Sequence, residues 1–398
     1  MKKFLPYGRQ TIDDDDIDAV VATLKSDFLT TGPTIAAFEN ALAARLDVAR
    51  AVVCSNGTAA LHLAAMAAEL GPGAKAIVPA VTFVATANAV RMTGAEVVFA
   101  DVNPDNGLME AEHLEKAVEG AGSGTKAVFP VHLAGQCGDM EAISALARDA
   151  GLTVISDACH ALGGSYSADK DRPLGDCQLE DMACFSFHPV KSITMGEGGA
   201  IATSDEALAE RMISLRNHGL THDANSFTQS DDAFNAQGAP NPWYYELREV
   251  GFNYRATDFQ CALGLTQLQK LSGFIERRRQ LADQYDRLLR PLAPNVRPLT
   301  RSPNCLSAWH IYVVLIDFAG LGIERGAVMN GLKDQGIGTQ VHYIPVTRQP
   351  YYRGRLDGAE FPGAEAYYER ALTVPLFPGM EDQDPARVVK ALVSVLGL

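Results

Sequence analysis

Short apolar runs rich in β-branched residues alternate with longer segments of helical character between residues 51 and 204. This alternation predicts a mainly parallel sheet with helices packed on both faces. The predicted strands lie at 51–54, 76–78, 96–100, 127–131, 153–156, 183–187 and 200–202. The predicted helices include 58–69, 84–93, 111–119 and 138–150. Seven strands exceed a six-stranded dinucleotide fold, and no GxGxxG follows the first strand, which argues against an NAD-dependent dehydrogenase.

The pattern changes at 221–245, a polar segment rich in Asn, Asp, Gln, Gly and Pro. It is long for a connection inside a compact domain and indicates a functional loop or a mobile flap. The later elements are a helix at 257–289, a strand at 311–316, a helix at 324–335, a strand at 339–342 and two terminal helices. We therefore expect a large α/β domain over 1–250, with an N-terminal segment 1–20, and a smaller C-terminal α/β domain over 251–398.

Composition excludes several classes of function. The net charge of −14 over 398 residues argues against a nucleic-acid partner, because phosphate backbones need clustered Lys and Arg. The acidic run at 13–16 is typical of a helix N-terminus. The seven cysteines form no CxxC pair and no metal-ligand spacing, and no apolar stretch is long enough for a membrane span. We expect a reduced, cytoplasmic protein with no metal and no membrane partner.

The first candidate site is the string Ser55-Asn56-Gly57-Thr58-Ala59, which follows a predicted strand and opens a helix. Backbone N–H groups at a helix start form a cradle for phosphate, and Gly allows its close approach. The alternative is an ordinary helix cap, for which small polar residues are also favoured. The string alone does not decide between the two.

The second candidate is Asp157, at the C-terminal end of an apolar predicted strand, where parallel sheets bind their ligands. A carboxylate there can keep a pyridine nitrogen protonated, which makes the ring an electron sink. The alternative is a carboxylate that caps the next turn. His160, three residues later, is more often a hydrogen-bonded structural histidine than a catalyst.

The third candidate is Lys191, in a loop between two apolar strands and just before a Gly-rich turn. Partial burial or a nearby cation lowers the pKa of a lysine, which can then form a Schiff base with an aldehyde. The alternative is a surface lysine, the usual fate of this residue.

Two further observations leave their interpretation open. Phe83 could stack on a ring, and the polar pair Asn253 and Arg255 either caps a helix or reaches a ligand.

In this order, the strings SNGTAAL, SDACHALGG, FSFHPVKSITMGEGGAI and GFNYRATDFQCALGLTQL resemble the sugar aminotransferases of the DegT–StrS family, which are fold-type-I enzymes that use pyridoxal 5′-phosphate. The likeness covers essentially the whole chain, and residues 1–250 would bind the cofactor. It implies that Lys191 forms the Schiff base with the cofactor aldehyde and that Asp157 pairs with the pyridinium nitrogen. It also implies that Phe83 stacks on the ring and that His160 lies near its 3-hydroxyl. The implied phosphate ligands are Thr58, Ala59 and Ser186.

The resemblance further implies a homodimer with two shared active sites, in which Asn253 reaches the phosphate of the neighbouring subunit's cofactor. The implied substrate-binding residues are Tyr7, Thr30, His188, Arg255, His342 and Tyr343. Some relatives carry His at the Schiff-base position and dehydrate their substrate, so Lys191 implies transamination.

Within the family, the strings FVATANAV, HALGGSY, PWYYELREVGFNYR and QVHYIPV are most similar to 4-aminotransferases of pseudaminic acid biosynthesis. They imply glutamate as donor and a UDP-linked 4-keto-6-deoxy-N-acetylhexosamine as acceptor, giving UDP-4-amino-4,6-dideoxy-N-acetyl-β-L-altrosamine. The alternatives are an enzyme for a perosamine or 4-amino-arabinose precursor, or a non-catalytic regulator that keeps the fold. A cysteine desulfurase is disfavoured, because it would need a reactive cysteine in a mobile segment near the site. Cys305 is the only loop candidate, and nothing in the sequence marks it as reactive.

Overall fold

A seven-stranded sheet lies at the centre of the larger part of the molecule in the computed structural model, which describes residues 4–166, 172–229, 231–303, 305–356 and 358–398. Its strands are β1 Arg50–Cys54, β2 Lys75–Pro79, β3 Glu96–Ala100, β4 Thr125–Val128, β5 Thr153–Asp157, β6 Met182–Ser186 and β7 Gly199–Thr203. Their order is β1-β7-β6-β5-β4-β2-β3. Only β7 runs antiparallel to its neighbours in this sheet, so the predicted mainly parallel sheet is confirmed.

The helices pack around this sheet and also form part of the C-terminal region. They are α1 Asp14–Leu24, α2 Pro33–Leu46, α3 Gly57–Ala67, α4 Val84–Met92, α5 Ala111–Ala121, α6 Met140–Asp149, α7 Glu206–Arg216, α8 Asp258–Leu289, α9 Arg325–Asp334, α10 Pro350–Arg353, α11 Pro362–Arg370 and α12 Asp384–Leu396. The acidic run at 13–16 does begin a helix, since Asp13 and Asp16 form a capping box at the start of α1.

Helices cover both faces of the large sheet, as the alternating pattern predicts. Along β1, Ala51 and Val53 pack in a core with α2, α5, α6 and α8, while Val52 and Cys54 pack in a second core with α3, α4 and α7. Successive side chains of a strand point to opposite faces, so a strand covered on both sides is apolar throughout.

The long helix α8 is shared between two regions of the molecule. Residues up to Ile275, among them Leu271, pack in the core of the large sheet, and the part of the helix after them contributes Leu281 and Tyr285 to a C-terminal core. Thr257 caps it through a capping box with Gln260. The division of the chain at residue 250 stays a prediction.

The C-terminal region contains a three-stranded antiparallel sheet of β10 Val296–Pro298, β11 Tyr312–Ile316 and β12 Ala371–Val374. The strand predicted at 339–342 is wrong: Gln340 makes a single bridge to Thr373, and the chain then turns into the cavity described below. The strand β12, between the two terminal helices α11 and α12, pairs with β11, and its Thr373 also bridges Gln340.

The polar segment predicted at 221–245 lies between two short strands, β8 Leu220–Thr221 and β9 Glu246–Leu247, which pair antiparallel. Inside it, the carboxylate of Glu246 accepts the backbone N–H groups of Thr228 and Gln229 and the hydroxyl of Tyr244. Its predicted functional role stays a prediction.

Candidate active site

A cavity of about 810 Å³ opens where β1, β2, β5 and β6 end. These ends lie at one edge of the sheet, where open α/β sheets bind their ligands. Most residues predicted for the site line this cavity: Tyr7, Thr58, Ala59, Phe83, Asp157, His160, Ser186, His188, Lys191, His342 and Tyr343. The motifs that are distant in sequence therefore meet in space.

Asp157 is the last residue of β5, and its carboxylate is buried at 7% exposure. One oxygen, Oδ2, accepts the hydroxyl of Thr86 at 2.7 Å, and Oδ1 accepts the backbone N–H of Cys159 at 3.1 Å. Two donors on separate segments fix the carboxylate while leaving lone pairs free to accept a proton-bearing group. The carboxylate is therefore held ready to pair with a cationic nitrogen.

Lys191 lies in the turn between β6 and β7, where its backbone N–H donates to the carbonyl of His188 at 2.8 Å. Burial lowers the pKa of Lys191, and the negative charge of Asp157 partly opposes that shift. Its amine makes no hydrogen bond within the described residues. An amine with a lowered pKa and no competing partner is a nucleophile available to an aldehyde.

The string around Gly57 forms a helix cap, and its position at the cavity is also compatible with a phosphate cradle. Asn56 is the N-cap of α3, and its side chain accepts the N–H of Ala59 at 2.9 Å. A Cβ on Gly57 would lie 2.8 Å from the Cβ of Ser186, so glycine lets the helix start approach β6. Thr58 and Ser186 thus place two hydroxyls beside a helix N-terminus that lines the cavity, which suits a phosphate.

Phe83 presents a large apolar surface to the cavity. It is the N-cap residue of α4 and is 54% exposed, although most large apolar side chains nearby are buried. Its ring centroid lies 5.8 Å from that of Tyr343. An exposed aromatic face inside a cavity suits a planar ring stacked on it.

The wall opposite the sheet consists of histidines and tyrosines. The hydroxyl of Tyr343 lies 3.0 Å from Nε2 of His160, and Nδ1 of His342 lies 2.8 Å from the hydroxyl of Thr373. Burial, followed by the positive charge of Lys191, lowers the pKa of His342 to about 3 and that of His160 well below its usual value. Burial also raises the pKa of Tyr343. This wall is therefore polar and uncharged.

Three residues predicted for the site do not line the cavity. Thr30 is exposed and bridges Thr257 at the start of α8. Asn253 is exposed, and Arg255 donates to the side chain of Asn217.

Among the residues near the cavity that the sequence did not predict, two matter most for the geometry of the site. Thr86, one turn into α4, anchors Asp157, and its position three residues after Phe83 was the available signal. His310 lines the cavity and packs against His160, with ring centroids 4.3 Å apart and ring planes tilted by 51°. A histidine just before the apolar strand β11 was a weak signal, because nothing local connects it to the other motifs.

The residues present fit pyridoxal phosphate. A helix N-terminus with two hydroxyls suits the phosphate, an anchored carboxylate suits the ring nitrogen, and an amine without a partner suits the aldehyde. In addition, the buried Nδ1 of His160 has no hydrogen-bond partner within the described residues, so it can bond to a ligand. No group of three or more His, Cys, Asp or Glu side chains suited to a metal occurs in the described part of the chain.

The fold and this site define a class of protein: enzymes that bind pyridoxal phosphate at the edge of a mainly parallel sheet. Residues 10–393 match the model of the DegT/DnrJ/EryC1/StrS aminotransferase family, and the chain belongs to this family. The spore coat polysaccharide biosynthesis protein SpsC of Bacillus subtilis (strain 168) is 38% identical over 396 residues, which cover 99% of this chain and 97% of SpsC.

Two solved structures extend the comparison. Helicobacter pylori PseC, an aminotransferase involved in the biosynthesis of pseudoaminic acid, is 28% identical with a TM-score of 0.87, covering 99% of this chain and 100% of PseC. The pyridoxal phosphate form of the sugar aminotransferase Spr1654 from Streptococcus pneumoniae, whose function is described as putative, is 27% identical with a TM-score of 0.86, covering 99% of each chain. The protein is a sugar aminotransferase that depends on pyridoxal phosphate. Among the residues that the structure describes, no helix is long and apolar enough to cross a membrane.

Proposed function

We propose that this enzyme transfers an amino group from glutamate to the 4-keto carbon of a UDP-linked 4-keto-6-deoxy-N-acetylhexosamine. The product would be UDP-4-amino-4,6-dideoxy-N-acetyl-β-L-altrosamine, formed in the cytoplasm. The observation that carries the aminotransferase part is the meeting of Lys191, Asp157 and Phe83 around one cavity. The sugar assignment is supported by the motifs of the sequence and by the likeness to PseC.

We assign the proton transfers of the reaction to Lys191. Pyridoxal phosphate, when bound, supplies an electron sink for the electrons left by a broken C–H bond. Lys191 would hold the cofactor aldehyde and, once displaced by the donor amine, move the proton as general base and then acid. A lowered pKa leaves more of the amine uncharged and able to accept that proton. Asp157 would keep the ring nitrogen protonated.

The other cofactor contacts in this proposal follow the cavity wall. Phe83 would stack on the ring, and His160 would bond near its 3-hydroxyl. The phosphate would be held by Thr58, Ala59 and Ser186, joined by Asn253 of a second subunit. Each group matches the polarity of the atom that it would meet.

The uncharged wall would face the sugar. Neutral imidazole and phenol groups donate and accept hydrogen bonds, which suits hydroxyl and N-acetyl groups better than a charged side chain would. Tyr7, His342 and Tyr343 would supply these contacts, with His188 exposed at the mouth. Thr30 and Arg255 lie outside this cavity, so in our proposal they act at the second subunit's site.

Mixed dimers test whether the sites are shared. Lys191→Ala and Asn253→Ala variants, each impaired alone, are unfolded, mixed and refolded together. In a shared site, a mixed dimer has one site with both residues intact, so the mixture should recover about a quarter of the wild-type rate. If the activity of the mixture does not exceed the sum of the activities of the two variants refolded separately, the active sites are not shared between subunits.

Product analysis tests the substrate. The enzyme is incubated with glutamate and a panel of UDP- and GDP-linked 4-keto sugars, and products are identified by mass spectrometry. We expect turnover of the UDP-linked N-acetylhexosamine epimer at the highest kcat/KM. A higher value for a different nucleotide sugar would replace this assignment and favour the perosamine or 4-amino-arabinose class. The higher identity to SpsC, a polysaccharide biosynthesis protein, is the reason to include that second candidate.

A further inference from the structure

A fully buried arginine lies behind the cavity wall. Arg278, in the middle of α8, is 1% exposed. Its Nη1 donates to the backbone carbonyls of His310 at 2.9 Å, Leu376 at 3.0 Å and Trp309 at 3.3 Å. This guanidinium therefore joins the long helix to two separate chain segments, one of which carries a residue of the cavity.

No acidic partner explains the burial of Arg278. Its neighbour Arg277 forms an ion pair with Asp382 at the surface, whereas Arg278 pairs with no carboxylate in the described ranges of the chain. Burial alone lowers the pKa of Arg278, to about 10, so it stays charged at neutral pH. A buried charge without a counter-ion is costly and rare in a protein interior, even where backbone carbonyls accept its hydrogen bonds. Titratable groups with shifted pKa values cluster at functional sites, which makes Arg278 a candidate for a functional role.

The segment held by Arg278 carries His310, whose ring packs 4.3 Å from that of His160. Both histidines are buried, both line the cavity, and each has an Nδ1 without a hydrogen-bond partner in the part of the chain that is described. The buried nitrogens of a histidine pair are thus left to meet a ligand. The orientation of His160 depends on Tyr343 on one side and on His310 on the other.

Burial keeps His310 neutral, because it lowers the pKa of this imidazole well below its usual value. The positive charges of Lys191 and Arg278 lower the pKa further. A neutral ring can pack on His160 without repulsion. The same guanidinium thus supplies a mechanical contact and a positive charge to this ring.

Arg278 also reaches a second cavity residue through the backbone. Leu376, whose carbonyl it binds, donates its own N–H to the carbonyl of Tyr7 at 3.0 Å. The ring of Tyr7 in turn lies 5.5 Å from that of His342. Both sides of the uncharged wall are therefore connected to one buried side chain.

We propose that Arg278 is a positioning residue of the active site, which acts by holding His310 against His160. The inference rests on the proposed function of the cavity for cofactor binding, but not on the identity of the sugar or the donor. It assigns to His310 the role of a packing partner that orients the free Nδ1 of His160 toward the cofactor.

Cofactor affinity tests this role without any substrate. Full-length Arg278→Met and Arg278→Lys variants are titrated with pyridoxal phosphate, and binding is followed by visible absorbance. We expect Arg278→Met to weaken binding about three- to tenfold, as for the loss of a well-oriented hydrogen bond, and Arg278→Lys to restore part of it. Arg277→Met is the matched control, because Arg277 also links α8 to the segment after Leu376 but contacts no cavity segment.

A double-mutant cycle separates positioning from general stabilisation. His310→Ala removes the ring that packs against His160, and it should weaken cofactor binding to a similar extent. If Arg278 acts through His310, then adding Arg278→Met to His310→Ala produces little further loss. Additive losses, or equal weakening by Arg277→Met, overturn the proposal. If Arg278→Met does not fold, the same cycle is run with Arg278→Lys.

The outcome is distinguishable from failure of the proposed function. If no sugar of the panel is aminated but cofactor binding follows the cycle, the positioning role stands and the substrate assignment fails. If wild-type protein does not bind pyridoxal phosphate, both fail. Thermal unfolding of each variant shows whether the change in affinity arises from loss of the folded state.

Discussion

The cavity has two walls of different chemistry. The sheet wall carries the carboxylate of Asp157, at the end of β5, and the amine of Lys191, in the turn after β6. The opposite wall, drawn largely from residues beyond 300, carries His310, His342 and Tyr343, all uncharged at neutral pH. Charge is thus concentrated where bonds would be broken, and neutral hydrogen-bonding groups lie where a sugar would be recognised.

The difference follows from how each wall is built. Residues at the ends of parallel strands meet one edge of the sheet and are held by helix starts, so a charged group there finds backbone N–H donors. The opposite wall packs rings against rings, as in the pair His160 and His310, and desolvation then favours their neutral forms. Breaking one wall should therefore abolish chemistry, whereas breaking the other should alter affinity and pH dependence.

The largest effect is expected from Lys191→Ala. Removal of the amine eliminates both the covalent attachment of the cofactor and the proton transfer, so kcat should fall by at least ~10⁴-fold. Turnover with glutamate and the absorbance of the bound cofactor measure the two losses. Lys191→Arg keeps a positive charge but should be equally inactive. Turnover close to the wild-type rate in either variant would show that the chemistry lies elsewhere.

A smaller but still large loss is expected from Asp157→Asn. The amide keeps the shape of the side chain and can still accept the hydroxyl of Thr86, so cofactor binding should persist. Without a negative charge the ring nitrogen is no longer held protonated, and kcat should fall roughly 10²- to 10³-fold. Asp181→Asn is the control, because Asp181 accepts the N–H of Val154 on the same strand but lies outside the cavity. A similar rate loss in both variants would refute a specific role for Asp157.

The sheet wall was largely predictable from the sequence, because local patterns encode it. Asp157 ends an apolar run, Gly57 follows another, and Lys191 precedes a Gly-rich turn, so each position was visible alone. Their ordered strings matched a family, and the family and its cofactor are confirmed. The roles of the individual residues stay predictions.

The opposite wall was less predictable because it depends on tertiary contacts. His310 becomes part of the site only when β11 packs beside the loop of His160, a contact between residues 150 positions apart. The wrong strand at 339–342 has the same origin: Gln340 makes only a single bridge to Thr373 of β12, and the chain after it turns into the cavity. Hydrophobic periodicity does not encode such choices of partner.

The neutrality of this wall predicts an acid sensitivity of the fold. The pKa of His342 is lowered from 6.5 to about 3, so between these values the unfolded chain binds a proton that the folded chain does not. The free energy of unfolding therefore decreases as the pH falls below about 6.5, by about 1.4 kcal/mol per pH unit for this group. Above that pH its contribution is complete.

His342→Gln should remove one proton from that dependence. Unfolding by urea at pH 6 and 4.5 measures the slope, which should be shallower than in wild type by about one proton. His222→Gln, at an exposed histidine, is the control and should leave the slope unchanged. An unchanged slope in His342→Gln would show that the wall accepts protons in the folded state.

The smallest effect is expected from the threonines that hold Asp157. The hydroxyl of Thr82 lies 2.8 Å from that of Thr86, which donates to Asp157, so the two threonines form a hydrogen-bonded chain that ends at this carboxylate. Thr86→Val removes the direct donor and should reduce kcat about three- to tenfold, whereas Thr82→Val removes only the second link and should cost less than half of that in free energy. Both variants keep side-chain volume, so the comparison isolates the hydrogen bonds. Equal losses, or a greater loss in Thr82→Val, would mean that packing at α4 rather than orientation of Asp157 limits the rate.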